Sequence, residues 1–304
     1  MHMASEGDEL VKRAEKLCAL SVLQLRLKPD WPAATALYEQ AAKCFSQAKA
    51  FGKARLAHER AAHGHDRQGA AWQSAKELAK AAEAAQHAGD WGDVAPLWRA
   101  AALAYATASR QTAAADALAK GALALEQHDP KAACELHQEA IEALEREGKA
   151  GASGDVYRQA IGASLRMGRS AEGVCMLLRW AAAAGEAGLH ASQAKAYLGA
   201  VVVWLHAGDA AQADAVYQDA MDVAVFARSE QAAAGGTLLD AYRSGSAERV
   251  RRCVAGALAL FGDLDNQVAR LARKLPDGDL QAMAAVLAGA SAPFDAGLDE
   301  ADLT

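Results

Sequence analysis

The sequence predicts an all-α fold: a tetratricopeptide-like, right-handed helical solenoid, a twisted sheet of antiparallel helices, closed by a C-terminal helical bundle. Three observations carry this. Trp31, Ala34, Leu37, Tyr38, Ala41 and Phe45 recur with identical internal offsets as Trp91, Val94, Leu97, Trp98, Ala101 and Tyr105, and steps of three and four mark one face of an α-helix. The set returns 39 residues on at Ala133, Leu136, His137, Ala140 and Leu144, then at two further intervals of 40, at Gly173 to Ala184 and Ala213 to Ala224. A period near 40 is a stack of helical hairpins. Gly-Asp pairs at Gly89-Asp90 and Gly208-Asp209 supply a left-handed helix end followed at once by a cap for the next helix, and no strand alternation is seen.

The elements follow in order. Residues 5–27 read as a helix through Leu10, Ala14, Leu17 and Gln24, ended by Lys28-Pro29; Asp30 caps the next, with Pro32 tolerated in its first turn. The interval from Trp31 to Trp91 is 60 residues and holds three helices of about 20 residues, each near 30 Å long. Trp72, Ala75, Leu78 and Ala82 repeat the pattern within it. Helices are expected near 30–48, 51–63, 68–87, 90–107, 110–126, 129–147, 150–166, 169–186, 189–206, 208–224, 229–243, 246–260 and 263–274. After Phe226 the repeat fades and arginines gather, as in a bundle that covers the last apolar face of a solenoid. The expected organisation is a solenoid over 1–227, a bundle over 228–275 and an acidic tail over 276–304.

Alanine dominates the predicted faces, so backbones approach closely and the six Trp and six Tyr supply much of the specific packing. The five cysteines are odd in number and lack a CxxC pair, which reads as reduced intracellular thiols rather than a disulfide frame or zinc site. No apolar stretch reaches the length of a membrane span and no leader pattern opens the chain. Any membrane contact is therefore expected to be peripheral. Net charge is −6, and residues 276–304 hold six acids and no Lys or Arg, so residues 1–275 balance at 32 of each. A neutral body argues against nucleic acid as partner.

No catalytic constellation is found. His63-Gly64-His65, with His58 a turn earlier, lacks a carboxylate or cysteine at ligand spacing and reads as a solvated hairpin. His87, His128, His137, His190 and His206 read as packing and capping residues. Gly151-Ala152-Ser153-Gly154 lacks the lysine and strand of a phosphate loop, and Gly235-Gly236-Thr237 reads as a helix interruption. No enzyme activity, metal or cofactor is expected.

Several segments in register resemble the soluble NSF attachment proteins, and their gamma branch in particular. They are Leu27-Lys28-Pro29-Asp30-Trp31, Tyr38 to Phe45 with Ala48-Lys49 and Phe51, Asp129-Pro130-Lys131-Ala132, Gly168 to Glu172, and Val201 to Asp209. The resemblance spans roughly residues 10 to 275. It implies a non-enzymatic adaptor that wraps a SNARE four-helix bundle in several copies and recruits the hexameric ATPase NSF to pull it apart, in the cytoplasm and peripherally on vesicle, Golgi or vacuolar membranes. Leu298 to Thr304 resembles the family's acidic tail with a penultimate leucine, so Asp299, Glu300, Asp302 and Leu303 are the expected NSF contacts. The alpha branch carries a SNARE-contacting lysine in the sixth helix where Asp116 stands here, flanked by Arg110 and Lys120. With Arg158, Arg166 and Lys195 these form the expected SNARE-binding stripe. In place of that branch's membrane-attaching loop, the first connection offers Leu23, Leu25, Leu27 and Trp31. The competing readings are a generic tetratricopeptide-like scaffold for another peptide or helical protein, and an all-α enzyme with a buried carboxylate site.

Overall fold

A computed structural model describes residues 2–19, 28–148, 151 and 154–290. Among these residues every regular element is helical. The chain divides between Ala163 and Ser164 into two compact units. The first holds α1 (His2–Cys18), α2 (Trp31–Gln47), α3 (Phe51–Arg67), α4 (Ala71–Ala88), α5 (Trp91–Thr107), α6 (Gln111–Leu125), α7 (Pro130–Arg146) and most of α8 (Gly154–Arg166). The second holds α9 (Ser170–Glu186), α10 (His190–His206), α11 (Ala210–Met221), α12 (Ala224–Ala227), α13 (Glu230–Arg243), α14 (Ala247–Gly256), α15 (Leu258–Gly262), α16 (Asn266–Ala272) and α17 (Leu280–Ala290).

In the first unit α1 to α7 pack in sequence, each on the next, and α4 also meets α6 and α5 meets α7. Odd and even helices thus form two rows, the helical-hairpin solenoid that the spacing predicts. Its core is small-residue packing. Ala14, Ala34 and Ala61 surround Tyr38, and Leu10 and Phe45 close on Ala41, Ala54, Ala57 and Ala84. Asp30, Asp129 and Asp209 accept hydrogen bonds from the backbone N–H groups of Ala33, Ala132 and Gln212, as their cap positions predict. Asp90 does not cap; its carboxylate lies 3.8 Å from Arg55.

A second regularity joins neighbouring helices. The aromatic residue that opens one helix meets a ring near the end of the next: Trp31 with His63 at 5.2 Å, Phe51 with His87 at 4.9 Å, Trp72 with Tyr105 at 5.1 Å, and Trp91 stacked on His128 at 3.5 Å. Antiparallel neighbours bring a start beside an end, so one aromatic per 20 residues makes a rung at each of the four successive hairpins from α2 to α6. The expected packing role of His87 and His128 is this contact.

Three local expectations need correction. α3 runs on to Arg67, so His63-Gly64-His65 is helix rather than hairpin. Gly64 is admitted there because Thr35 of α2 occupies the place a Cβ would take. α13 is continuous through Gly235 and Gly236; both lie against the Tyr217 ring, with a Cβ on Gly236 falling 2.7 Å from the phenol oxygen. Finally, Leu280–Ala290, read as tail, is a helix that buries Met283 and Leu287 against α11 and α13.

The second unit is organised on α10, where ten residues from Gln193 to Leu205 are buried. A helix apolar all round belongs inside a fold, and α9, α11, α12, α13 and α16 pack about it. Phe226 is fully buried between Tyr197 and Tyr217, at ring separations of 5.4 and 6.0 Å.

Candidate protein-interaction surfaces

The described residues hold no group of three or more His, Cys, Asp or Glu placed to share a metal ion. The histidines of α3 are engaged elsewhere. His58 Nδ1 lies 2.7 Å from Glu77 Oε2 on α4, both side chains buried, and Lys80 Nζ lies 2.6 Å from the other Glu77 oxygen. Burial alone would push the Glu77 carboxyl up, but the hydrogen bonds from His58 and Lys80 prevail and hold it below the usual carboxylate range. His65 Nε2 reaches Glu39 on α2 at 2.7 Å. These side chains tie α2, α3 and α4 together. The cysteines are all thiols; burial pushes Cys18, Cys44 and Cys253 up, against a lowering hydrogen bond from Tyr38 in the case of Cys18. Thiolate chemistry is thereby disfavoured.

The outward stripes of the even helices are rich in lysine. Lys43 on α2, Lys76 and Lys80 on α4, and Lys120 on α6 are exposed, interspersed with Glu83 and Asp116. Arg110, at the N-cap of α6, sets its guanidinium 5.3 Å from the Trp72 ring centroid, and Lys76 approaches the same ring at 4.8 Å. This partly fixes a long cation at the surface. Lys120 is solvated and has no ion pair among the described residues. Arg158 on α8 is exposed and pairs with Asp155 one turn before it. Those three lie in the first unit. Arg166 ends α8 in the second unit and is exposed; Lys195 on α10 is held by Asp263 at 2.6 Å. Of the five residues expected to be basic contacts, then, Lys120 is exposed without an ion pair among the described residues, while Arg158 and Lys195 are each held by a carboxylate of the chain.

Trp31 opens α2 half-buried. It packs on His63, accepts Arg67 over its ring at 5.8 Å, and lines a cleft of about 340 Å³ with Tyr38 and Leu56. Leu23, Leu25 and Leu27 lie outside the described residues, as do Asp299, Glu300, Asp302 and Leu303. No described helix is long and apolar enough to cross a membrane.

An acidic face on α7 was missed by sequence reasoning. Glu135, Glu139 and Glu142 line the outer side of that helix, and Arg99 of α5 binds the first two at 3.2 and 2.7 Å. Their spacing of four and three is the signal that the sequence carries for it.

The family profile described as "Soluble NSF attachment protein, SNAP" matches residues 5–256. A gamma-soluble NSF attachment protein of Arabidopsis thaliana is 36% identical over 281 residues, covering 92% of this chain and 95% of that protein. One of Dictyostelium discoideum is 26% identical over 270 residues, covering 89% and 82%. Among solved structures, the crystal structure of BtubC (BKLC) from P. vanneervenii aligns with a TM-score of 0.36 at 16% identity, over 73% of this chain and 89% of that one.

Proposed function

The chain belongs to the soluble NSF attachment protein family, and from that premise we propose that it is an adaptor, not an enzyme, that binds SNARE complexes and recruits NSF to disassemble them. The observation that carries this reading is the family match over residues 5–256 together with 36% identity spanning nearly all of both chains. The gamma relatives favour the gamma branch. The adaptor acts in vesicle traffic, as a cytoplasmic protein peripheral on vesicle, Golgi or vacuolar membranes, with Leu23, Leu25, Leu27 and Trp31 at the lipid contact.

Lysines on the even helices of the first unit, Lys120 foremost, supply the SNARE surface with Arg110, Arg158, Arg166 and Lys195. Surface charges of this kind set encounter rate and register more than affinity. The solenoid over 1–227 presents this surface, the bundle over 228–275 closes it, and the tail reaches NSF through Asp299, Glu300, Asp302 and Leu303. A pull-down tests the reading. Immobilised SNARE four-helix bundle should retain the protein, and should retain NSF in the presence of non-hydrolysable ATP only when the protein is present. Retention of NSF on bare bundle, or no retention of the protein, favours a scaffold for other partners instead. Within the complex, Lys120→Glu with Arg158→Glu should weaken SNARE binding about three- to tenfold and flatten its salt dependence, because exposed pairs contribute about 0.2–1 kcal/mol each and are screened within about 10 Å.

A further inference from the structure

The odd helices of the first unit carry a different surface, which SNARE or NSF binding as proposed does not use. α5 turns outward a stripe with no charge, Gly92, Pro96, Ala100, Leu103 and Thr107, and Leu103 is 71% exposed. Between α5 and α3 runs a groove of about 570 Å³, floored by Ser74 and Leu78 of α4 and walled by Ala62, Leu97, Leu103 and Ala104. Its rims are acidic. Glu59 and Asp66 line the α3 side, with His63 between them. Beyond α5 stand the α7 carboxylates, of which Glu142 accepts a hydrogen bond at Oε1 from Gln138 and one at its backbone carbonyl from Arg146, and makes no ion pair among the described residues. Arg55 binds Glu59 and Asp93, Arg99 binds Glu135 and Glu139, and Lys131 lies 4.0 Å from Glu135, which leaves Asp66 on one side and Glu142 on the other without an ion pair among the described residues.

We infer that this groove docks an amphipathic helix of a partner protein, with an apolar stripe about three turns long flanked by Lys or Arg. From Pro96 to Thr107 the trough runs about 17 Å at 1.5 Å per residue, room for apolar anchors at i, i+3 or i+4, and i+7. The charge of the rims selects among occupants. The chain's own residues 276–304, with six acids and no base, meet like charge here; a second copy brings acidic rims against acidic rims; an anionic lipid surface is repelled. A basic helix gains both the apolar contact with Leu103 and the field of the rims.

The test uses the full chain and a fluorescein-labelled 14-residue Leu/Lys peptide whose leucines form one helical stripe, one of them replaced by a photo-reactive leucine. Fluorescence anisotropy should show saturable binding. It should weaken at least about tenfold with a peptide of the same composition and scattered leucines, at least about tenfold with Leu103→Arg, and about three- to tenfold with Asp66→Lys plus Glu142→Lys. A charge-matched pair of reversals in the second unit, Asp219→Lys plus Glu230→Lys, should leave it unchanged. Cross-links should fall in α5 and the facing parts of α3 and α4. Because Leu103 is exposed, the fold should survive its replacement, with Leu103→Ser as the milder variant. Cross-links in residues 276–304, or wild-type binding by Leu103→Arg and by the rim variant, overturn the inference. So does a dimer of the free protein that Leu103→Arg dissociates, which assigns the groove to a second copy.

Discussion

Gly52 and Gly64 lie on the same helix and have opposite meanings. Gly64 Cα faces Thr35 with no room for a methyl, whereas nothing lies within 4 Å of a Cβ at Gly52. Gly64→Ala should lower stability by about 1–3 kcal/mol through overpacking, while Gly52→Ala should raise it by about 0.5 kcal/mol by restricting the unfolded chain; urea midpoints followed by tryptophan fluorescence distinguish the signs. Nearby, the buried Glu77 makes a pH prediction. Its folded carboxyl is held below the ordinary range, so its stabilisation is fully present above the unfolded carboxylate value, near pH 4.3, and is lost as pH falls through the lower folded value. Glu77→Gln should therefore cost about 1.5–3 kcal/mol at pH 7, and the gap from the native protein should shrink below about pH 4. A gap independent of pH would contradict the assignment. The sequence could not disclose this site, because His58 and Glu77 are 19 residues apart on helices whose relative rotation only packing decides.

At the scale of elements, the hairpins repeat more strictly than the apolar faces do. Left-handed residues occur at Lys49, Gly69, Gly89, Ser109, Gly148, Gly168, Gly188 and Gly208, one per helix end at steps of 20 except across the Asp129 turn. Six are glycine, and two bear side chains where L-residues are strained by about 1–2 kcal/mol. Lys49→Gly and Ser109→Gly should thus each stabilise the protein by about 0.5–1 kcal/mol, and Gly89→Ala should destabilise it by about 1 kcal/mol; thermal melts of the three variants check the pattern, and a destabilising Ser109→Gly would contradict it. Because each is followed by an aspartate, of which Asp209 caps and Asp90 does not, Gly89 and Gly208 are the ends that were legible in the sequence. The interior of α13 was not. Gly235 and Gly236 look like a break until Tyr217 is seen lying on them, its hydroxyl donating to the Ala232 carbonyl at 3.1 Å. α17 was missed for the related reason that the acidic residues around it, Asp277 and Asp279, drew the whole segment into the tail; Asp279 in fact accepts hydrogen bonds from the N–H groups of Gln281 and Ala282 at the start of that helix.

For the whole molecule, the family was legible from residue order and spacing along most of the chain, while the individual contact residues were not. Basic side chains are visible in a sequence, but their internal partners are not: Lys195 is already bound to Asp263 and Arg158 to Asp155. Lys120, on a helix whose inner face is alanine and leucine, stands clear. Within the first unit each row of helices is close to neutral; what differs is the exposed pattern, with Lys43, Lys76, Lys80 and Lys120 on α2, α4 and α6, and an uncharged stripe on α5 between carboxylates of α3 and α7. The adaptor reading rests on coupling between a SNARE bundle and NSF, so the most direct measurement is ATP-driven disassembly of a fluorescently labelled SNARE bundle by NSF with and without this protein. Energy transfer between the labelled helices should be lost only when protein, NSF and hydrolysable ATP are all present, at a rate reduced by Lys120→Glu with Arg158→Glu. An intact bundle under those complete conditions, across the host's SNARE combinations, would contradict the adaptor reading.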